Sequence, residues 1–316
     1  MNMEEAAHSR TARPAEGRIR HILSFDVEEY FHAEAFRHVI GPAGWSAWPS
    51  RIEGQMEALL ALLEEAGVRA TFFVLGELAS RHGGLVSQLA AGGHEIACHG
   101  DSHEMIARLG PAGFRRDTAA SKSRLEDLIG QGVLGYRAAT FGLVRSTAWA
   151  IDVLAELGFS YDSSIQPVYH DRYGVPNAPP QAHWAVGPAG GRVLELPPMT
   201  RRLAGRNIPL GGGGYFRLLP AVIFDRALRT LARRGEAAML YLHPWEFDAG
   251  QPVVPVGRLR NFRHRVNLRR TAGKLRTLLA GHRFTTARAV ATGLVRQELA
   301  SFEYRAQATQ LPRLPA

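Results

Sequence analysis

A single cysteine, Cys98, is present in 316 residues. An intrachain disulfide is therefore excluded, and so is a zinc site built on several thiolates, so any bound metal must be held by nitrogen and oxygen. No run reaches the roughly 18 apolar residues of a membrane span, and the opening MNMEEAAHSRTARPAEGR has no apolar stretch of signal-peptide length. A cytoplasmic location, or work at the inner face of the membrane, is the expectation. Acids are missing from one long stretch: none occurs between Asp248 and Glu298, although the whole chain has 29 Asp and Glu against 38 Lys and Arg. RLRNFRHRVNLRRTAGKLR, in that stretch, can attract nucleic acid, anionic lipid or an acidic polymer, because unbalanced positive charge does not distinguish them. Leu268, Leu275 and Leu279 fall seven and four apart, however, which favours a helix docked by one apolar side with its arginines in water.

A hydrophobic content of 46% with 21% charged residues describes a chain able to bury a sizeable core. Its length suits one α/β barrel of roughly 250 residues with additions. HILSFDV, ATFFVLG, HEIACHG, VLGYRAATF, FSYDSSI, VLELPPM and AAMLYLHPW read as strands, and helical patterns such as RIEGQMEALLALLEEAG, ELASRHGGLVSQLAAGG, PAGFRRDTAASKSRLEDLIG and STAWAIDVLAELG lie between most of them. That alternation predicts parallel strands joined by crossover helices. The expected class is α/β, a barrel or strongly curved sheet of about seven strands. Residues 19–300 are expected to form one catalytic domain with a basic helical extension from about 257, flanked by a disordered tail over 1–18 and a polar tail over 301–316. Gln166 to Gln181 and the glycines at 211–214 read as irregular loops.

In such folds, chemistry collects at the carboxyl ends of the strands. SFDVEE puts Asp26 and Glu28 on one face of the first strand end and Glu29 on the other. In HEIACHGDSHE, His99 and His103 are four apart and can face one point if the chain makes a helical turn there. Arg137 ends the fourth strand, Asp162 the fifth and His243 a late one. His32 and His94 read as surface histidines, and Cys98 as a small core residue. Two imidazoles and one carboxylate leave a metal with open positions, as in catalytic zinc sites, while a second carboxylate takes a proton from water.

The stretches SFDVEEYFH, ATFFVLGELA, HEIACHGDSH, GYRAATF, YDSSI, YLHPWEFD and FRHRVNLRRTAGKLR, in this order, resemble the polysaccharide deacetylases, carbohydrate esterase family four or the NodB-homology family. The resemblance extends most closely to the exosortase-associated exopolysaccharide branch. It implies a distorted (β/α)7 barrel and metal-dependent removal of N-acetyl groups from amino sugars of a polysaccharide or a lipid-linked precursor. It further implies one divalent ion, Zn2+ with Co2+, Ni2+ or Mn2+ as alternatives, on Glu28, His99 and His103. Asp26 matches the base, Arg137 the residue that steers it, His243 the general acid and Asp162 the residue that tunes His243. Tyr136, Phe141, Leu242 and Trp245 match the acetyl pocket or its rim. Gly100 and Ala139 depart from the family pattern, which commonly has Ser or Thr and Pro there.

Rival readings are deacetylation of peptidoglycan or chitin oligomers, hydrolysis of a cyclic amide, and a non-catalytic polyanion-binding scaffold. No specific nucleic-acid partner is expected. Peripheral contact with an anionic membrane through residues 257–276 is.

Overall fold

The computed structural model describes residues 19–170 and 173–305. Its strands are β1 His21–Val27, β2 Thr71–Val74, β3 Glu95–Cys98, β4 Gly135–Tyr136, β5 Tyr161–Asp162, β6 His183–Val186, β7 Arg192–Glu195, β8 Thr200–Leu203, β9 Arg206–Pro209, β10 Met239–Leu242, β11 Phe284–Thr285 and β12 Ser301–Glu303. The helices are α1 Ile52–Glu65, α2 Gly76–Arg81, α3 Gly83–Ala91, α4 Ile106–Ile129, α5 Trp149–Glu156, α6 Gly213–Leu218, α7 Ala221–Arg233, α8 Arg258–Arg265, α9 Leu268–Gly281 and α10 Ala287–Leu294.

Seven strands run parallel in the order β10-β1-β2-β3-β4-β5-β7, the α/β arrangement expected of a (β/α)7 barrel. β6 adds antiparallel to β7, β12 adds to β6, and β11 makes a short second pairing with β1. No ladder joins β7 to β10 directly. The gap is spanned by the irregular chain after β7: the Met239 carbonyl accepts from the Met199 amide, and the Tyr241 amide donates to the Gly211 carbonyl. The glycines read as a loop are what permits this approach. A Cβ on Gly212 would stand 1.7 Å from the Tyr241 carbonyl oxygen. Gly212→Ala is expected to destabilise the fold by about 3 kcal/mol, as overpacking against backbone does; thermal unfolding measures it.

Strand alternation sorts side chains into two layers. Leu23, Phe25, Phe72, Val74, Ile96, Cys98, Tyr136, Leu240 and Leu242 point outward under the helices and form the main core. Ile22, Phe73, Ala97, Tyr161, Leu194 and Met239 point inward and fill the barrel with Ala287 and Ala291 of α10. At the lower end, Glu95 accepts hydrogen bonds from Thr71, Tyr161 and the Arg288 amide, so the start of α10 plugs the barrel there. Among the polar inward residues, Asp26 stands near the end of β1 and His99, Arg137 and His243 directly follow β3, β4 and β10, with Ser24 one inward step below Asp26. This parity places the site at one end.

Several boundaries differ from expectation. The helix expected over ELASRHGGLVSQLAAGG breaks into α2 and α3 at His82, and α4 begins earlier, with a kink where Gly110 takes φ 63°. VLGYRAATF pairs only over β4, because the chain then turns through Thr140 and Phe141 at positive φ. The polar tail expected from residue 301 begins instead as β12, held by Tyr304, whose hydroxyl bonds the His183 ring. The tail expected over 1–18 lies outside the described residues. Leu268, Leu275 and Leu279 are buried as the docked-helix pattern requires.

Candidate active site

Asp26 and Glu28 leave β1 on the inward face, and the side chains around them are almost entirely buried. A buried guanidinium is costly unless every donor is used. Arg137, fully buried, meets that condition: Nη1 donates to Asp26 Oδ1 at 2.5 Å and Ser24 Oγ at 3.0 Å, Nη2 to Ser163 Oγ at 2.9 Å and Met239 Sδ at 2.8 Å, and Nε to the Ser163 carbonyl at 3.2 Å. Its face lies 4.0 Å from the centre of the Phe73 ring. One Asp26 oxygen is thereby fixed. The other, Oδ2, faces His243 Nε2 at 3.8 Å.

His99 donates from Nδ1 to the Arg137 carbonyl at 2.8 Å, which fixes the tautomer and leaves the Nε2 lone pair directed at Glu28 Oε1, 3.1 Å away. His103 Nε2 reaches the same oxygen at 3.2 Å. The two rings converge because the chain after β3 turns sharply, with Gly100 at φ 80° and His103 itself at φ 51°. Such a conformation costs a non-glycine residue about 1 kcal/mol or more and persists only where the surroundings enforce it. Asp117 of α4 supplies the enforcement by accepting from the Asp101 and Ser102 amides and the Ser102 hydroxyl. Gly100 thus serves the turn, where a serine or threonine would be strained.

The donor set fits a divalent ion. Atoms of Glu28, His99 and His103 lie within 4.8 Å of one another, and the two measured nitrogen–oxygen separations are near the roughly 3.3 Å expected between tetrahedral ligands about 2 Å from zinc. Burial alone would raise the Glu28 carboxyl, but the charges of His103 and His243 outweigh it and hold the group well below its usual range. Glu29, on the opposite face, accepts from the Arg51 and Ile52 amides and the Ser50 hydroxyl, so it caps α1 and takes no part.

His243 also faces Glu28 Oε1 at 3.8 Å, and its Nδ1 bonds Glu246 at 2.8 Å. Burial would depress the imidazolium; the carboxylates of Glu28, Glu246 and Asp26 overcome it and push the pKa up to about 9. Glu246 is in turn paired with Arg217, which is itself buried.

Glu246 thus occupies the place expected for Asp162. Asp162 follows Tyr161, which points into the barrel, and so points outward, where it is hydrogen-bonded by Ser164 and lies against Glu195. Burial raises both carboxyls, and each keeps one buried oxygen with no other donor, the signature of a pair sharing a proton. The same parity corrects two other expectations. Tyr136 packs outward between Phe114 and Phe159, and Leu242 lies in the outer core, so neither lines a pocket at the site. The inward neighbour is Tyr241, packed edge-on against Phe141 at 4.8 Å, with the Arg137 guanidinium 5.7 Å from the Phe141 ring. Trp245 stacks on His243 at 5.0 Å. His32 and His94 are buried, not surface, residues: His32 stacks beside His103 and accepts from the Glu29 amide, and His94 accepts from the Ala70 amide. The signal that could have found Glu246 is the spacing in HPWE, a capping box in which the fourth residue reaches back to the first.

Comparison with known proteins bears on the fold. Residues 44–161 match the family described as polysaccharide deacetylase, and residues 163–292 match a domain of unknown function, DUF3473. Residues 44–161 are thus similar to the polysaccharide deacetylases. A chitooligosaccharide deacetylase of Bradyrhizobium sp. (strain ANU 289) is 29% identical over 97 residues, 31% of this chain; the chain spans 42% of that relative's length. Among solved structures, a Mycobacterium smegmatis protein assigned to the polysaccharide deacetylases aligns with a TM-score of 0.61 and 21% identity over 95% of this chain and 96% of its own. An allantoinase aligns with a TM-score of 0.56 and 17% identity over 90% and 93%. These likenesses show the fold. The DUF3473 region is not separate from it, since β10, which brings His243, pairs with β1, which brings Asp26 and Glu28.

Proposed function

We propose that the chain is a metal-dependent N-deacetylase of amino sugars in a polysaccharide, with an exopolysaccharide or its lipid-linked precursor as substrate. The observation that carries this reading is the convergence of Glu28, His99 and His103 beside an aspartate whose second oxygen is not bound by Arg137 and faces His243. An ion held by those three residues would supply Lewis acidity toward water and the acetyl oxygen; zinc suits two nitrogens and one oxygen, and cobalt, nickel or manganese also fit. Asp26, immobilised through Oδ1, takes the proton from the attacking water at Oδ2. His243, kept protonated by Glu246, gives a proton from Nε2 to the departing amine. Phe141, Tyr241 and Trp245 flank the space in which the acetyl group would lie.

Removing the Glu246 charge lowers the His243 pKa, so Glu246→Gln is expected to move the alkaline limb of kcat/KM to lower pH by about one unit or more. An unmoved limb would assign the acid elsewhere. The allantoinase likeness raises hydrolysis of a cyclic amide, but the intact histidine pair favours the metal-dependent reaction. Incubation with N-acetylglucosamine oligomers and, separately, with allantoin separates the two. Acetate release from the glycan supports the proposal; ring opening of allantoin without acetate release defeats it.

A further inference from the structure

Among the described residues, the outer face of α8 makes few side-chain contacts with the rest of the fold. Its eight residues, RLRNFRHR, include four arginines and no acid. The inner face is fully used: His264 is buried, stacks on Trp245 at 4.3 Å and bonds Gln251, while Arg265 turns inward to the Gln251 carbonyl. On the other side Leu259 and Phe262 are 62% and 60% exposed. They stand three residues apart and so share a face. Arg258, Arg260 and Arg263 are exposed around them. Arg260 meets only a His38 ring, and the side chains of Arg258 and Arg263 have no acidic partner among the described residues.

An exposed apolar pair ringed by unneutralised cations is the pattern of a helix lying in a lipid interface. We propose that α8 docks this protein on an anionic bilayer, with Leu259 and Phe262 entering the headgroup boundary and Arg258, Arg260 and Arg263 on lipid phosphates. Charge complementarity selects this occupant. A nucleic acid would use the arginines and leave Leu259 and Phe262 in water, and a second copy would bring two sets of arginines together. The docking stands apart from the proposed activity, but its consequence rests on that reading. Because His264 of α8 stacks on Trp245, which stacks on His243, docking holds the site close to the membrane, where a lipid-linked glycan would be presented.

The test is co-sedimentation of the full chain with vesicles of phosphatidylcholine, alone or mixed with phosphatidylglycerol. The protein is expected to bind the mixed vesicles and not the neutral ones. In a variant carrying Leu259→Ser and Phe262→Ser, binding is expected to fall about tenfold, with unchanged acetate release from a soluble N-acetylated oligosaccharide. Equal binding by the variant would reduce the effect to generic charge and overturn the proposal, as would no binding by the parent. A dimer, or salt-resistant DNA binding, that the variant loses would assign the surface to those partners instead. Vesicle binding without any acetate release would refute the deacetylase reading and leave the docking standing.

Discussion

Replacing Asp26 with asparagine is expected to lower kcat by about 10³-fold and to leave metal content unchanged. The asparagine keeps an oxygen for Arg137 Nη1, so the guanidinium retains a partner, and the other Arg137 donors are held by Ser24 and Ser163 regardless. What the substitution removes is the charge at Oδ2, the atom that faces His243 and the space for water. Asp26 contributes no atom to the Glu28, His99 and His103 group, so an ion held there would stay; a second group that could hold an ion, Asp26, Glu28 and His243, shares only Glu28 with it. Metal analysis and acetate-release kinetics on the same preparation check both halves. Normal turnover would remove Asp26 from the role of base, and loss of metal would make it a ligand.

His103→Ala is expected to lose both metal and activity, the latter by at least about 10³-fold, because two protein ligands do not hold a catalytic ion against solvent. The folded state should survive. Asp117 still fixes the Asp101 and Ser102 amides, and the side chain removed is the one forced toward Glu28 by a strained backbone. Far-ultraviolet circular dichroism controls for folding. Unchanged metal stoichiometry would place the ion elsewhere.

Much of the site is legible in the sequence because it obeys two simple rules, position at strand ends and alternation along them. Asp26, Glu28, His99, Arg137 and His243 satisfy both, and the structure brings them together. The readings of Tyr136, Asp162 and Leu242 satisfy the first rule only. Each is one residue out of phase, beside Arg137, Ser163 and His243 or Tyr241, and β4 and β5 are too short for their periodicity to declare itself. Glu246 was hidden differently, since a carboxylate three residues after a histidine reads as a solvated turn until the burial of Arg217 and Glu246 shows them paired. Closure of the barrel was not legible either. It depends on a proline- and glycine-rich segment without period, in which β6–β7 and β8–β9 form short hairpins and β12 joins β6 from far along the chain.

The most direct test of the central claim is acetate release from an N-acetylated oligosaccharide by protein stripped of metal with a chelator and then titrated with divalent ions. The stripped protein should be inactive, and one equivalent of zinc, cobalt, nickel or manganese should restore turnover. Full activity in verified metal-free protein would contradict the assignment of Glu28, His99 and His103.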